Sequence, residues 1–223
     1  MNGSELAPLL EYTALAPLVG AARVTRMCEE ARAGGFAAVC VNPVHVARAS
    51  RLLDGCDVHV CAVVGYPLGS LTTRQKAYEA ATALEDGALE IDMSLDLAAL
   101  QAGGADSVRA DIYGVADVVS RNPYAVLKVD LEIALLTEAQ RHLAVRMAIE
   151  GGAHYVVASR GFGDSSPLAA DVEELRGVAS DLIGVKATGV RDSAGARELL
   201  AAGATRLGSE EPATLVQGIG RRV

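Results

Sequence analysis

A repeated helix–turn–strand pattern is the feature that most constrains the fold of this chain. An amphipathic, alanine-rich helix, a turn of small residues and a short apolar strand recur in "EEARAGGFAAVCV", "AATALEDGALEIDM", "RMAIEGGAHYVVA" and "LLAAGATRLGS". Glycine at each turn supplies the left-handed backbone conformation that ends a helix, and a strand follows within a few residues. Strands that are joined in this way by helices are mostly parallel.

The apolar runs predict about eight strands, near 9–13, 37–41, 58–64, 88–93, 124–131, 154–158, 182–187 and 205–208. Capping signals mark several helix starts, namely Asn42 before Pro43, Thr72 with Gln75, Thr137 with Gln140, and Asp192. Because strands and helices alternate over residues 1–223 without a linker, the sequence predicts an α/β fold, a (β/α)8 TIM barrel that forms a single domain. A doubly wound sheet is the alternative.

Composition excludes several classes of partner. Of the 223 residues, 51% are hydrophobic and the formal net charge is −8, with the basic residues scattered, so we expect a globular chain that does not bind nucleic acid. No apolar run reaches the roughly 18 residues of a membrane span, so no membrane partner is expected. The first residues lack the pattern of a signal peptide and the four cysteines show no CxxC spacing. These features predict a cytoplasmic protein.

Charged residues fall inside predicted strands, where a packed barrel interior does not need them. Lys128, Asp130 and Glu132 alternate on one face of the fifth strand, which must point into the barrel because Val129 and Leu131 are apolar. Buried charges cost several kcal/mol each unless they are paired, so such residues indicate a functional site. The alternative is an ion-pair network that only fixes strand register, formed by Lys128, Lys186, Asp92 and Asp130.

Motifs along the whole chain resemble those of one known family. They are "CVNP" at 40–43, "GYPLG" at 65–69, "TTRQK" at 72–76, "EIDM" at 90–93, "LKV" at 127–129, "GVKATG" at 184–189 and "AGATRLG" at 202–208. In order and spacing they are similar to the motifs of deoxyribose-phosphate aldolase. The resemblance implies a class I aldolase on a (β/α)8 barrel that joins acetaldehyde to glyceraldehyde 3-phosphate through a lysine imine, and it implies a homodimer.

When the family's functional residues are matched by position, the resemblance implies roles for three residues and indicates that one functional lysine is replaced. Asp92 matches the proton-relay aspartate, Lys186 matches the lysine that lowers the pKa of the nucleophile, and Lys128 matches a further lysine within the barrel. The imine-forming lysine of the family is replaced by Val157, and a threonine that follows it has become Arg160. We therefore expect a divergent member of the family that lacks the imine-forming lysine.

Further departures affect the phosphate site and the fifth strand. A pair of serines at a helix start, where amide groups suit an anion, is replaced by Glu210 and Glu211. Two carboxylates should repel a phosphate, although Arg160 and Arg191 are in reach of the same region. Asp130 takes a position on the fifth strand that is usually apolar in the family. We expect it either to raise the pKa of nearby lysines or to act as a new general base.

The candidate site follows from these observations. We predict catalytic roles for Asp92, Lys186, Lys128 and Asp130. The candidate substrate-binding residues are polar side chains at the ends of the strands and the loops that follow them: Glu132, Arg160, Arg191, Thr13, Cys40, Ser159, Glu210 and Glu211.

Three functions remain open. The first is acid–base chemistry on a small, non-phosphorylated substrate, such as an enolisation, cyclisation, dehydration or rearrangement, with Lys128 and Lys186 stabilising charge. The second is an aldolase or lyase with its Schiff base relocated to Lys186, since a second ammonium can lower the pKa of a buried lysine. The third is a catalytically silent relative that acts as a binding or partner subunit.

Other residues carry less specific signals. The four histidines are not spaced as metal ligands, so no metal is predicted, and no cofactor is implied. Lys76 is expected to be a solvated helix lysine. An acidic pocket favours a carbonyl or amine-bearing small molecule as the substrate.

Overall fold

Eight parallel strands close into a barrel in the computed structural model of the chain, which describes residues 1–160 and 166–219. Each strand pairs with its neighbours in sequence, and the first pairs with the eighth. The strands are β1 (Leu10–Ala14), β2 (Ala38–Val41), β3 (His59–Val64), β4 (Glu90–Ser94), β5 (Val126–Asp130), β6 (Tyr155–Ala158), β7 (Gly184–Ala187) and β8 (Arg206–Ser209). The predicted (β/α)8 barrel is confirmed, and the alternative of a doubly wound sheet is wrong because the sheet has no open edge.

Helices connect successive strands. They are α1 (Gly3–Leu6), α2 (Ala21–Gly34), α3 (Val46–Leu52), α4 (Thr73–Glu85), α5 (Leu97–Gln101), α6 (Ala105–Val119), α7 (Glu138–Glu150), α8 (Ala169–Ala179), α9 (Ser193–Ala201) and α10 (Pro212–Ile219), with short 3-10 turns at Ala7–Leu9, Pro43–His45 and Ile133–Leu135. Thr72 and Thr137 form the predicted capping boxes. Asp192 caps α9, as its position before that helix predicts.

Buried apolar residues on the outer face of the barrel pack against the helices. Ile91, Leu127, Val129 and Val185 are all fully buried in one continuous core. Residues that alternate with them point inward, as the period of two in a strand requires. The charged side chains of the strands therefore point into the barrel.

The fifth strand ends earlier than its apolar run predicts. It stops at Asp130, and Glu132 follows in the left-handed region with φ 43°. Side chains with a Cβ atom rarely adopt this conformation, and such residues cluster at functional sites. None of the helices in the described part of the chain is long and apolar enough to cross a membrane.

Candidate active site

A cavity of about 1000 Å³ opens at the C-terminal ends of the strands. Its polar and charged lining includes every predicted site residue except Lys128: Thr13, Cys40, Asp92, Asp130, Glu132, Ser159, Arg160, Lys186, Arg191, Glu210 and Glu211. This is the end of the barrel where active sites of (β/α)8 enzymes lie.

Lys186 lies on the floor of the cavity between two carboxylates. Its Nζ donates hydrogen bonds to Oδ2 of Asp92 at 2.6 Å and to Oε1 of Glu11. Gly208 on the neighbouring strand packs closely against Thr188, because a Cβ atom there would lie only 2.6 Å from Thr188 Oγ1, whereas it would make an ordinary contact of 3.4 Å with Lys186 Cε. Lys186 and Asp92 thus form the predicted pair at the floor.

Lys128 does not line the cavity, unlike the other three predicted catalytic residues. It is fully buried, and its Nζ donates to Oε2 of Glu11 at 2.5 Å and to Oε2 of Glu90 at 2.7 Å. The physical reason is its register: Lys128 precedes Asp130 by two residues, so it points inward one layer deeper in the barrel, roughly 7 Å below. It lies beneath the cavity, in contact with Glu11 and Glu90.

Glu11 is the central member of the buried charge network, and the sequence did not identify it as a site residue. One of its carboxylate oxygens binds Lys186 and the other binds Lys128. The three residues lie on β1, β5 and β7, and inward side chains of alternate strands share a layer in such barrels. The position of Glu11 on an odd-numbered strand, like those of the two lysines, is therefore the feature of the sequence that indicates their contact.

The two buried lysines are held as ammonium ions. Burial acts to lower the pKa of Lys186, but the carboxylates of Asp92 and Glu11 outweigh it and raise this pKa above its ordinary value. The pKa of Lys128 is also raised, because the surrounding acidic groups outweigh the same effect of burial. A protonated amine is not a nucleophile, so these contacts oppose the alternative of an imine relocated to Lys186.

Asp130 has a different environment from the one predicted. It accepts a hydrogen bond from Ser159 Oγ and one from the backbone N–H of Glu132 at 3.2 Å. No lysine or arginine forms an ion pair with Asp130 in the described part of the chain. Other acidic groups, among them Glu11 and Asp92, are the main causes of the raised pKa of Lys128 and Lys186, so the expectation that Asp130 adds to this rise stays a prediction. Burial, Asp92 and Glu132 raise the pKa of Asp130 itself to about 7. A carboxyl group with this pKa suits proton transfer at neutral pH.

Val157 lies between these two groups. It pairs in register with Asp130 on one side and with Lys186 on the other, lines the cavity and is 1% exposed. The sheet spacing places Asp130 and Lys186 about 10 Å apart at the backbone. A small molecule over Val157 therefore meets the aspartic acid on one side and the ammonium on the other.

The mouth of the cavity carries the remaining predicted residues. Arg160 donates a hydrogen bond to Oδ2 of Asp171 on α8 at 2.8 Å, so the carboxylate of Asp171 balances its charge. Ser209 Oγ donates to Val190 O at 2.6 Å and accepts from the N–H of Glu211 at 3.1 Å, which ties together the loops after β7 and β8. Gly161 and Gly163, which follow Arg160 in the sequence, lie outside the described residues.

Asp92 has a carboxylate oxygen without a partner. Its Oδ1 is buried and accepts no hydrogen bond from the residues that the structure describes, although the side chain lines the cavity and is only 8% exposed. Thr13 Oγ1 is in the same situation. Buried polar atoms are normally satisfied, so an unpaired atom at a cavity wall indicates a position for a hydrogen-bond partner from a ligand.

One group of side chains has the composition of a metal site. Ligand atoms of Glu11, Cys40, Cys61 and Asp92 lie within 4.8 Å of one another. However, both carboxylates already bind Lys186, and the contact with Cys61 and burial raise the pKa of Cys40 well above its ordinary value. A metal ion requires thiolate and free carboxylate ligands, so these residues do not fit one while Lys186 occupies the site.

Lys76 is buried, which corrects its prediction as a solvated lysine. Its Nζ donates to Asp111 at 2.5 Å and to the carbonyl of Ser94, at the end of β4, at 2.9 Å. Gly65 packs directly over it with φ 65°, and a Cβ atom there would lie 2.9 Å from Lys76 Cε. Lys76 thus supports two segments that border the cavity.

A closed (β/α)8 barrel with a buried lysine and acidic side chains in an open cavity is an architecture found among enzymes of the aldolase superfamily. Comparison with known proteins agrees. The deoxyribose-phosphate aldolase of Geobacillus sp. (strain WCH70) is 42% identical over 216 residues, covering 96% of this chain and 96% of that protein. The chain belongs to the deoxyribose-phosphate aldolase family.

Other relatives extend the likeness. The deoxyribose-phosphate aldolase of Deinococcus radiodurans is 42% identical over 214 residues, covering 96% of each chain. The tetrameric deoxyribose phosphate aldolase from Aeropyrum pernix superposes with a TM-score of 0.89 at 29% identity, covering 97% of this chain and 91% of that chain. No protein-family model matches the sequence.

Proposed function

We propose that this chain is a divergent member of its family that lacks the imine-forming lysine and catalyses acid–base chemistry on a small, non-phosphorylated carbonyl compound. The reaction begins with enolisation. Asp130 is the base, Lys186 stabilises the enolate, and Asp92 holds both Lys186 and the substrate. Cyclisation, dehydration or rearrangement are reactions that an enolate formed in this way can undergo.

The environment of Asp130 carries this proposal. A carboxyl group whose pKa is about 7 is present as the carboxylate in a large fraction of molecules at neutral pH, and it is basic enough to remove a proton from carbon. Ser159 and the backbone of Glu132 hold it at the cavity wall. Position 157, where the family resemblance places the nucleophile, carries an isopropyl group that cannot form an imine.

The proposed step can be followed atom by atom. The Asp130 carboxylate takes a proton from the carbon next to the substrate carbonyl, the C–H bond breaks, and its electron pair moves to form the C=C bond of the enolate. Lys186 has three N–H donors and uses two of them on Glu11 and Asp92, so the third is available to the enolate oxygen. The protonated Asp130 then returns its proton to the product.

The two alternative functions receive less support. A relocated imine requires neutral Lys186, whereas Glu11 and Asp92 both favour its ammonium form. A silent binding subunit requires neither the raised pKa of Asp130 nor an open cavity lined by acid–base groups. We further propose that the chain acts as one barrel domain, in a cytoplasmic homodimer, with a biosynthetic role outside the standard aldolase reaction.

Proton exchange at carbon tests this function without knowledge of the natural substrate. Hydroxyacetone is incubated with the protein in D₂O, and loss of the proton signals next to its carbonyl is followed by NMR. We expect exchange that Asp130→Asn lowers by roughly 10²–10⁴-fold, the range for a general base. Lys186→Met should also abolish exchange, whereas Lys186→Arg should retain part of it because a cation remains.

Two further measurements separate this mechanism from an imine. Borohydride reduction with hydroxyacetone should leave the intact mass of the wild-type protein unchanged. Cleavage of deoxyribose 5-phosphate should stay at background. A trapped adduct on any lysine, or cleavage at rates normal for an aldolase, would contradict the proposal.

A further inference from the structure

The mouth of the cavity is acidic at the place where the family resemblance predicts a phosphate site. Glu210 and Glu211 line the cavity and are exposed, and neither carboxylate forms a hydrogen bond or ion pair with another described residue. Their backbone is fixed, because Arg23 donates to the carbonyl of Glu210 at 3.3 Å and Ser209 accepts from the N–H of Glu211. Two carboxylates are thus presented to the cavity from a fixed backbone.

The cations that line the cavity do not balance this charge. Lys186 is shared between Glu11 and Asp92, and Arg160 is paired with Asp171. Arg191 is the third cation of the described lining, which also contains Glu132 and Asp130 in addition to the two glutamates. Acidic groups at the mouth therefore outnumber the basic ones, and the field there favours a cation.

The floor of the cavity independently indicates that a polar ligand enters it. Asp92 is more than nine-tenths buried, lines the cavity and has a carboxylate oxygen without a partner in the described part of the chain. An oxygen of this kind accepts a hydrogen bond from an O–H or N–H group of a ligand. A ligand with a polar group on this oxygen at the floor would have room to extend toward the mouth of the same cavity.

We infer that the substrate carries a protonated amine at the end opposite its reacting carbonyl, and that Glu210 and Glu211 bind this ammonium group. This inference rests on the proposed function and names its substrate class. A dianionic phosphate at the same place would be repelled by the two carboxylates, and a neutral hydroxyl would donate one hydrogen bond without balancing their charge. A cavity of about 1000 Å³ has room for a chain of several carbons between the two ends.

Binding of three matched probes tests the inference. They are 4-amino-1-butanol, 1,4-butanediol and 4-hydroxybutyl phosphate, which share a carbon chain and a hydroxyl end and differ only in the second end group. Their affinities for the full chain are measured by ligand-observed NMR titration at low ionic strength. We expect the amino alcohol to bind at least tenfold more tightly than the diol, and the phosphate to bind more weakly than the diol.

Charge removal at the mouth supplies the control. In the double variant Glu210→Gln/Glu211→Gln the preference for the amino alcohol should fall below threefold, while the affinity for the diol is unchanged. Glu173→Gln/Glu198→Gln makes the same charge change at exposed positions outside the cavity lining, and should keep the preference. Thermal unfolding of both variants establishes that they are folded.

Each other outcome overturns the inference. It is wrong if the phosphate binds most tightly, if the amino alcohol shows no preference or no binding, or if the preference survives in Glu210→Gln/Glu211→Gln. The proposed function fails separately, because the exchange of hydroxyacetone protons does not depend on an amine. If the preference for the amino alcohol is absent but hydroxyacetone protons exchange normally, only the proposed substrate class is contradicted. If the protons do not exchange but the preference is present, only the proposed acid–base mechanism is contradicted.

Discussion

At the scale of single residues, neighbouring carboxyl groups of the site differ because their partners differ. Asp92 is held against the ammonium of Lys186, whereas Asp130 has only a hydroxyl and a backbone amide as partners. Burial and two neighbouring acidic residues therefore act on Asp130 without a compensating cation, and its pKa rises. The same residue type is thus held by an ion pair in one position and has a pKa near neutrality in the other.

The raised pKa of Asp130 predicts how stability changes with pH. Because its pKa is 3.8 ordinarily and about 7 in the folded chain, its contribution to stability is full below pH 3.8 and is lost as the pH rises through 7. Asp130→Asn removes this pH-dependent loss of stability, because an amide does not titrate. The variant should gain free energy of unfolding relative to the wild type between pH 4 and pH 8, by at most about 4 kcal/mol and by less where the cavity hydrates the carboxylate.

Urea unfolding at several pH values measures this difference. The difference between the wild type and Asp130→Asn should be smallest near pH 4, grow as the pH rises to 7 and stay constant above pH 7. A difference that stays constant with pH would show that the amide changes packing and that Asp130 does not titrate near neutrality.

Val157 offers a gain-of-function test at the same scale. A lysine at this position would lie between Asp130 and Lys186 and extend into the cavity. The ammonium of Lys186 would lower the pKa of the new amine, so Val157→Lys should form a borohydride-trappable imine with acetaldehyde. The expected readout is an ethyl adduct on residue 157 by peptide mass.

A lysine elsewhere on the cavity wall is the matched control. Val63 also lines the cavity and is 4% exposed, but it is not flanked by Asp130 and Lys186. Val63→Lys should be trapped at least tenfold more slowly. Equal trapping of both variants would mean that position 157 has no special environment.

Residue patterns predicted which side chains point inward but not how they pair. Alternation along β5 was sufficient to place Lys128 and Asp130 inside the barrel. It could not tell that Lys128 binds Glu90 and Glu11 below the cavity, because pairing depends on the strand stagger that closes the barrel. Glu11 was overlooked as a site residue for the same reason.

At the scale of helices and strands, local signals predicted the order of elements well. All eight strands lie within a few residues of their apolar runs, and the capping boxes at Thr72 and Thr137 form as their spacing predicts. Contacts between helices were not predictable. Lys76 reads as a solvated residue on α4, but the packing of α6 against α4 buries it beside Asp111.

The buried pair between α4 and α6 predicts a large effect of a small substitution. Asp111→Asn removes the charge that compensates Lys76, which has no exposed surface. Breaking a buried pair in this way costs about 3–5 kcal/mol, because an uncompensated ammonium stays in the interior. We expect a loss of this size in urea unfolding.

Asp117 on the same helix provides a matched control. It pairs with Arg121 at 2.7 Å, but both side chains are more than 70% exposed. Asp117→Asn should leave the free energy of unfolding unchanged within error, since exposed ion pairs contribute little. Replacing both members, Lys76→Met with Asp111→Leu, should recover most of the loss. A similar cost for both Asn variants would contradict the assigned role of the buried pair.

At the scale of the whole molecule, a chain of buried charges links distant strands across the barrel. His59 contacts Glu90, Glu90 binds Lys128, and Glu11 joins Lys128 to Lys186. These contacts connect β3, β4, β5, β1 and β7, so they add polar links between strands that are not neighbours in the sheet. The site and the closure of the barrel therefore depend on the same carboxylates.

Glu11 makes this link testable through acid unfolding. Burial acts to raise its pKa, but Lys128 and Lys186 outweigh burial and lower the pKa from 4.5 to about 2. Its contribution to stability is therefore full above pH 4.5 and is lost as the pH falls toward 2. In Glu11→Gln this part of the pH dependence should be absent, which amounts to at most about 3 kcal/mol between pH 5 and pH 2.

The same variant should also be less stable than the wild type at pH 7, because two buried lysines lose a shared carboxylate. Free energies of unfolding from urea titrations at pH 7, 5, 4 and 3 measure both effects. Glu5→Gln is the control, since Glu5 is an exposed glutamate on α1 and does not contact either lysine. If Glu11→Gln lost stability in acid as steeply as the wild type and Glu5→Gln, other carboxylates would govern acid unfolding. The closure of the barrel would then not depend on the charges that also hold Lys186 in the site.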